Sequence, residues 1–351
     1  LEAGAHPDPT DITSFDSTET YLAPPKTPLM YAVLGGEKTI IALLLDERYS
    51  ANVNTQRDYY QHTALHMLCD KRKRWYSRDT DLYFDVMQVF LTAAKGRVGV
   101  NVKDNLGKTP LALYMRNEYG LESSVVNVGS CPGSAVKNIP SYTYKGIRSQ
   151  GGISAREKRV VCTLLENGAD PFCVTNKGVT LLHYATTLEN MEVIDVIIEA
   201  ARAHGTDALR SFINARDENG FTALMHATAG GYLAGVDKLL QNGADPTITD
   251  GKGGTALHVA ALFNMPSIAC KLLKVQGLDV NAKDISGFTP LQYSARAKTC
   301  TRIMKNILER HSAEKQSKEE EHAAEVVPKN TSCEPDEVDG DGWVTVKRAR
   351  N

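Results

Sequence analysis

Three histidines, His66, His183 and His258, each stand three residues after a threonine, in Thr63-Ala64-Leu65-His66, Thr180-Leu181-Leu182-His183 and Thr255-Ala256-Leu257-His258. A catalytic imidazole needs a nucleophile or an acid held beside it, and these segments supply neither, so the rings read as structural groups set by a common local fold. His226 falls one residue later, behind Met225, which predicts a weaker turn network at that point. Gly107-Lys108-Thr109 has the ending of a phosphate-binding loop, but that pattern requires glycine at position 102, where the chain has Val102. Glu337, Asp339, Asp341 and Gly342 imitate the start of a calcium loop, yet the position that needs a bidentate glutamate is Arg348. Seven cysteines without any CxxC pair offer neither a zinc knuckle nor a disulfide framework and favour a reducing compartment. No cofactor, metal or small-molecule substrate is expected.

The elements that place these residues follow from internal repetition. Thr-x-Leu recurs at Thr27, Thr63, Thr109, Thr180, Thr222, Thr255 and Thr289, with spacings of 36, 46, 71, 42, 33 and 34 residues. A second apolar helix pattern follows several of them and closes in Leu164-Leu165-Glu166-Asn167-Gly168-Ala169-Asp170-Pro171 or Leu239-Leu240-Gln241-Asn242-Gly243-Ala244-Asp245-Pro246. Each unit therefore reads helix, turn, helix, loop. Threonine or proline at the helix start deals with unpaired N–H groups, glycine relieves the turn, and the apolar faces are covered only when the next unit stacks on them.

These residues resemble the ankyrin repeat family, whose unit is about 33 residues with a TPLH-type start. The lead-in Asp-x-x-Gly-x-Thr is intact at Asp104–Thr109, Asp217–Thr222, Asp250–Thr255 and Asp284–Thr289. The resemblance implies an all-α solenoid of about seven helix-turn-helix units over residues 26–311. It also implies that the slot histidines bond turn backbone between neighbouring units. Residues 1–25 read as the end of a preceding repeat plus a linker, because Leu1-Glu2-Ala3-Gly4-Ala5-His6-Pro7 looks like the close of a unit. Insertions are expected near 70–81, 116–157 and 201–211, where they leave stacking intact; the last is expected to prolong a helix or its following loop.

Charge is nearly balanced over the chain, 40 Lys and Arg against 42 Asp and Glu, so no overall field marks a nucleic-acid or membrane binder. No apolar run approaches the roughly 20 residues needed to span a bilayer. Residues 312–351 form a polar tail with six basic and ten acidic residues, expected to run as a charged helix over Glu309–Glu325 and to be largely disordered beyond. The basic run Lys71, Arg72, Lys73 and Arg74 reads as a solvated loop, with a nuclear-localisation patch and a phosphate contact as alternatives. Asp336-Glu337-Val338-Asp339-Gly340 resembles an executioner-caspase recognition sequence, with cleavage after Asp339. Leu273, Asp279, Val280 and Asn281 match the spacing that, by family resemblance, attracts an asparaginyl hydroxylase to Asn281; the other reading makes Asn281 a loop stabiliser.

Partner contacts are expected at the turn tips and inner-helix ends that line a concave face. With the turn aspartate as position one, they include Tyr59, Tyr60, His62, Lys71, Asn105, Lys108, Lys177, Leu188, Asn219, Phe221, Lys252, Phe263, Ile285 and Phe288. The aromatics Tyr59, Tyr60, Phe221 and Phe288 suit an interface hot spot. Those at position five are alternatively half buried between turns. The resulting expectation is a non-enzymatic adaptor, cytoplasmic and also nuclear, that binds another protein. An inhibitor resembling the inhibitor-of-NF-kappa-B family, or the targeting arm of a larger enzyme or channel, are the rival readings.

Overall fold

The computed structural model describes residues 26–49, 51–56, 58–70, 80–115, 125–126, 139–140, 151–296 and 302–326. Repeat one pairs α1 (Pro28–Gly35) with α2 (Lys38–Leu45), and repeat two pairs α3 (Ala64–Cys69) with α4 (Thr80–Ala93). Repeat three pairs α5 (Pro110–Met115) with α6 (Gly151–Glu166). Between them β1 (Val125–Val126) runs antiparallel to β2 (Ile139–Pro140), with Val125 opposite Pro140. Repeat four has α7 (Leu181–Thr187), α8 (Met191–Arg202) and α9 (Thr206–Ile213). Repeat five has α10 (Ala223–Gly230) and α11 (Leu233–Gln241), repeat six α12 (Ala256–Leu262) and α13 (Pro266–Leu272), and repeat seven α14 (Pro290–Arg296) and α15 (Arg302–Val326). The fold is the expected all-α repeat stack, and the two-residue strand pair lies within the insertion of repeat three.

The chain divides into two units, residues 1–309 and 310–351. In the first, the inner helices α1, α3, α5, α7, α10, α12 and α14 pack each on the next. They are apolar on nearly every side because they are enclosed on nearly every side; all seven residues of α7 are buried. Outer helices are amphipathic. α8 buries Val193, Ile194, Ile197, Ile198 and Ala201 and leaves Glu192 and Glu199 exposed. Each inner helix begins on its repeat threonine, whose hydroxyl accepts from Met30 N in α1 (3.2 Å) and from Met225 N in α10 (3.3 Å).

Two boundaries differ from the sequence reading. Residues 206–213 are a separate helix, not a prolongation of α8: Gly205 turns the chain at φ 107°, and α9 buries Leu209, Phe212 and Ile213, with Phe212 edge-on to Phe172 at 5.3 Å. The long insertion ends by 150, since α6 begins at Gly151. In the second unit the tail is helical as far as Val326, covering the expected charged helix, with Arg310 bonded to Glu314 at 2.8 Å; residues 327–351 lie outside the described residues.

The insertion in repeat three leaves from between α5 and α6, so α5 still packs on α7. Its turn remains docked on the next: Gly107, at φ 73°, is so close to repeat four that a Cβ would stand 2.3 Å from Asn176 Oδ1 and 2.6 Å from Asn176 N. Gly243 has a similar left-handed φ of 92° with nothing near its missing Cβ. Gly243→Ala is expected to lose only the backbone term, about 1 kcal/mol, and Gly107→Ala at least twice that because the turn must also separate from its neighbour. Urea unfolding of the two variants checks the ranking; equal losses would show that the turns are not tightly docked.

Candidate functional site

The tip of each repeat is a turn built on one side chain. In repeat three, Asp104 Oδ1 accepts from the N–H groups of Leu106 (2.9 Å) and Lys108 (2.8 Å). Asp217 holds Asn219 and Phe221 (both 2.9 Å), and Asp250 holds Lys252 and Gly254 (both 2.8 Å). In repeat four Thr175 Oγ1 takes this role, accepting from Lys177 and Val179 at 3.3 and 3.2 Å.

Successive turns are then joined by a regular rung in which the N–H of position two donates to the carbonyl of position three in the preceding repeat. The rungs are Asn105 N to Tyr60 O (3.0 Å), Asn176 N to Leu106 O (3.1 Å), Glu218 N to Lys177 O (2.8 Å), Gly251 N to Asn219 O (2.8 Å) and Ile285 N to Lys252 O (2.9 Å). They run unbroken from repeat two to repeat seven.

The slot histidines add a second tie. Thr63 N–H and hydroxyl both approach His66 Nδ1, at 3.2 and 2.8 Å. A backbone N–H can only donate, so Nδ1 must be the bare nitrogen and the proton sits on Nε2, which donates to Lys108 O at 3.1 Å. His183 repeats this with Thr180 and Phe221 O (3.0 Å), and His258 with Thr255 and Phe288 O (3.1 Å). Burial pushes His66 and His183 down to about 4, and His258 also down, so the neutral rings these bonds require are the favoured ones. The weaker network expected at repeat five takes a specific form. Met225 cannot make the bridge, and His226 instead donates from Nε2 to Asp217 Oδ2 at 3.1 Å while its ring lies 5.1 Å from that of His183. Burial alone would raise Asp104 and Asp217, but bonds from His62 and the Lys108 N–H, and from His226 and the Phe221 N–H, hold both below the usual carboxylate value.

A third tie had not been singled out in the sequence. Asn54, Asn101 and Asn214 each clamp the closing loop of the next repeat through both ends of the amide. Asn101 Nδ2 donates to Gly168 O at 2.9 Å while Oδ1 accepts from Asp170 N at 2.8 Å. Asn54 does the same with Arg97 O and Gly99 N, and Asn214 with Gly243 O and Asp245 N. Their recurrence three or four residues before the turn's first residue was the available signal. Asn281 holds that register position, half buried, with its N–H donating to Asp279 Oδ1 at 3.1 Å.

The expected partner residues separate into two sets. Tyr59, Tyr60, Asn105, Asn219 and Ile285 are exposed at the tips. Lys177 and Lys252 on the tips, and Leu188 and Phe263 at the ends of inner helices, are half buried. His62, Lys108 and Phe221, by contrast, are buried, and Phe288 is half buried, so these four do not stand out as tip contacts. The reason is common to position five. Its N–H is held by the turn carboxylate, and in repeats three, five and seven its carbonyl is taken by the preceding histidine, which turns the side chain inward. His62 lies between two carboxylates, with Nδ1 2.7 Å from Asp58 Oδ2 and Nε2 3.5 Å from Asp104 Oδ2. Lys71, Arg72, Lys73, Arg74 and Asp339 lie outside the described residues.

On the outer-helix side, a cleft of about 590 Å³ opens between α4 and α6, where Arg159 stacks on the Phe84 ring at 3.4 Å and Lys158 pairs with Glu192 at 3.4 Å. Burial, then the neighbouring Glu166, raise the Cys162 thiol on its wall, which disfavours the nucleophilic thiolate. Burial likewise pushes Cys173 up to about 11.

A family model described as ankyrin repeats in three copies matches residues 153–250 and 236–319, and an ankyrin repeat model matches residues 26–58. Among curated proteins, the chain is 34% identical over 134 residues to putative palmitoyltransferase ZDHHC13 of Danio rerio, covering 38% of this chain and 19% of that protein. It is 28% identical over 189 residues to SH3 and multiple ankyrin repeat domains protein 2 of Homo sapiens, covering 53% of this chain and 9% of that protein. With NF-kappa-B inhibitor delta of Mus musculus it shares 36% identity over 87 residues, covering 24% and 26%. The matched region thus spans a small part of each relative's length.

The histidine ties make stability depend on pH with a definite sign. The folded value of His66, about 4, lies below the 6.5 of a free imidazole, so between the two the unfolded chain holds the extra proton. Stability is complete above about 6.5 and falls as pH drops to about 4, with His66 alone accounting for up to about 3 kcal/mol. The lowered Asp104 and Asp217 add their loss only below the ordinary carboxylate value of 3.8. Urea midpoints taken from pH 7 to pH 4.5 should decline, and less steeply in His66→Gln, which has no ring to protonate.

Proposed function

The chain belongs to the ankyrin repeat family, and from that premise we propose that it is a non-enzymatic scaffold that holds a partner protein across its turn tips and inner-helix ends. The observation that carries this reading is the aromatic pair on the tip of repeat two. Tyr59 is 69% and Tyr60 42% exposed, and the two rings meet edge to face at 5.1 Å. Large aromatic side chains fixed on an ordered turn are what an interface hot spot uses. At the far end of the same row Ile285 is 79% exposed. Between them Asn105, Asn219 and the Lys177–Glu218 ion pair (3.1 Å) supply polar groups of the kind found around a hot spot. Because each of these tips is already held by its turn side chain and its rung, a partner would meet side chains whose backbone needs no further ordering.

A second reading draws on the similarity to NF-kappa-B inhibitor delta and makes the partner an NF-kappa-B-type protein. The partial match to a palmitoyltransferase supports a third, in which the repeats are the recognition arm of a longer polypeptide. If either reading uses the tip row, the tip variants test it as well.

A partner captured on the full chain and identified by mass spectrometry should bind Tyr59→Ala or Tyr60→Ala about 30-fold more weakly, the equivalent of a hot-spot loss near 2 kcal/mol. Ile285→Ala should weaken it less, and the thermal midpoints of these surface variants should stay at the parent value. Undiminished binding by all three would remove the tips from the interface.

A further inference from the structure

The turns that join inner to outer helices make a second row, at the C-terminal ends of the inner helices and away from the tips. The ninth residue after the repeat threonine takes a left-handed backbone there: Gly36 (φ 72°), Glu189 (φ 52°), Gly231 (φ 75°) and Asn264 (φ 54°) in repeats one, four, five and six. Glycine adopts this conformation freely and asparagine tolerates it, whereas a glutamate is strained in it. Repeat four therefore carries a strained residue where its neighbours carry relaxed ones.

The fold gains nothing visible from that residue. Glu189 is half buried, and its carboxylate makes no hydrogen bond or ion pair among the described residues. Burial alone raises it above the usual carboxylate value. The cations of the adjoining outer helices are already engaged, Lys158 with Glu192 at 3.4 Å and Lys238 with Asp195.

Around the carboxylate the row is apolar and half exposed. Leu188 precedes it, Tyr232 opens the outer helix of repeat five, and Phe263 and Met265 occupy the turn of repeat six. Met265 reaches back to repeat five, where a Cβ on Gly231 would stand 3.2 Å from its Sδ and Cε. The Tyr232 ring lies along α11 so closely that Gly235 has no room for a Cβ, which fixes the ring against its own helix. Its hydroxyl makes no hydrogen bond among the described residues; burial, then the charges of Glu189 and Asp195, push it up to about 12. The phenol thus stays neutral within the field of the Glu189 carboxylate.

These groups call for one kind of ligand. A partly desolvated carboxylate without a counter-ion attracts a cation, a fixed aromatic ring offers its face to one, and the apolar surroundings suit the aliphatic stem behind it. An acidic or phosphorylated group would be repelled. We propose that the row around Glu189 is a docking surface for a basic segment of the partner protein, in which a lysine or arginine meets Glu189 and Tyr232 and a neighbouring apolar residue packs on Leu188, Phe263 and Met265. The proposal rests on the scaffold reading and adds the partner's chemistry to it.

The probe is a library of random peptides of one fixed length, displayed on phage and selected on the full chain. Selected sequences should be enriched in lysine or arginine beside an apolar residue. Fluorescence anisotropy of those peptides should show affinity falling about tenfold or more in Glu189→Gln. Glu189→Lys should reject them and bind the same peptides with the basic residue changed to glutamate. Glu189→Asn, which installs the residue type of repeat six, should weaken the peptides as much as Glu189→Gln does, yet raise the thermal midpoint by about 1–2 °C. Basic peptides that bind Glu189→Gln as they bind the parent, or a selection without basic peptides, would overturn the proposal. So would a Glu189→Asn chain that melts lower than the parent, because the carboxylate would then serve the fold. Peptides lost in Tyr59→Ala or Tyr60→Ala but indifferent to Glu189 would leave the scaffold reading standing and this proposal refuted; a selection that returns no peptide of any composition would count against both.

Discussion

The structure depends on one side-chain oxygen per turn, a carboxylate oxygen in repeats two, three, five, six and seven and the Thr175 hydroxyl in repeat four. A chain reversal of this kind leaves two N–H groups pointing inward, and an unpaired buried N–H costs as much as a lost hydrogen bond. Asp104, Asp217 and Asp250 each satisfy both with Oδ1. With the inner groups satisfied, the outward N–H of position two and carbonyl of position three are left free to pair with the neighbouring turns, and the rung from repeat to repeat follows. The second oxygen is then available for a ring: His226 in repeat five, Tyr293 in repeat seven at 2.7 Å, and His62 in repeat two, where it is Asp58 Oδ2 that bonds. One acceptor thereby sets turn shape, rung and side-chain packing together.

This separation of tasks explains how the chain carries insertions without losing its order. The ties that recur from repeat to repeat are made by turns, by the histidine slot and by the closing loops. The insertion of repeat three leaves the stack between α5 and α6, where none of these ties is made, and the Asn176–Leu106 rung is as short as its neighbours. The outer layer does respond: between α4 and α6 it opens into the cleft around Phe84 and Arg159. Loop length costs little entropy once the ends are fixed, so the burden falls on local packing of the outer helices and not on the stack.

Much of this was legible because the repeat writes its own register. Seven threonines mark the start of every inner helix, and the resemblance to ankyrin repeats implies the inter-repeat bond of the histidine slot. The side on which a tip residue faces was harder to read. Lys108 and Phe221 look like solvent-facing tip residues by type and spacing, yet both their backbone groups are bound, one to the turn's own aspartate and one to the neighbouring histidine. That constraint comes from the adjacent repeat, so no pattern within one repeat displays it. The same holds for α9. Leu209, Phe212 and Ile213 have helical spacing, but what fixes them as a separate helix is Gly205 at φ 107° together with the Phe172 ring on which Phe212 packs. Repeat two also departs from the pattern at Gln61, which takes the left-handed position (φ 59°) that glycine fills in repeats three to seven.

The two exposed tyrosines stand on the most heavily braced tip of the row. Tyr60 N–H is held by Asp58 at 3.1 Å, and its carbonyl accepts the rung from Asn105. Its ring stacks on His62 at 5.4 Å, and His62 stacks on His66 at the same distance. His66 in turn is anchored to Thr63 on one side and to Lys108 O of the next repeat on the other. The chain of contact runs from a solvent-facing ring to the inter-repeat bond in three steps. A ring supported in this way has lost most of its rotational freedom before anything binds, so contact with it costs little additional ordering. It also couples the outermost side chain to an imidazole that must stay neutral, so conditions that protonate His66 would loosen the platform beneath Tyr60 as well as the joint between repeats two and three.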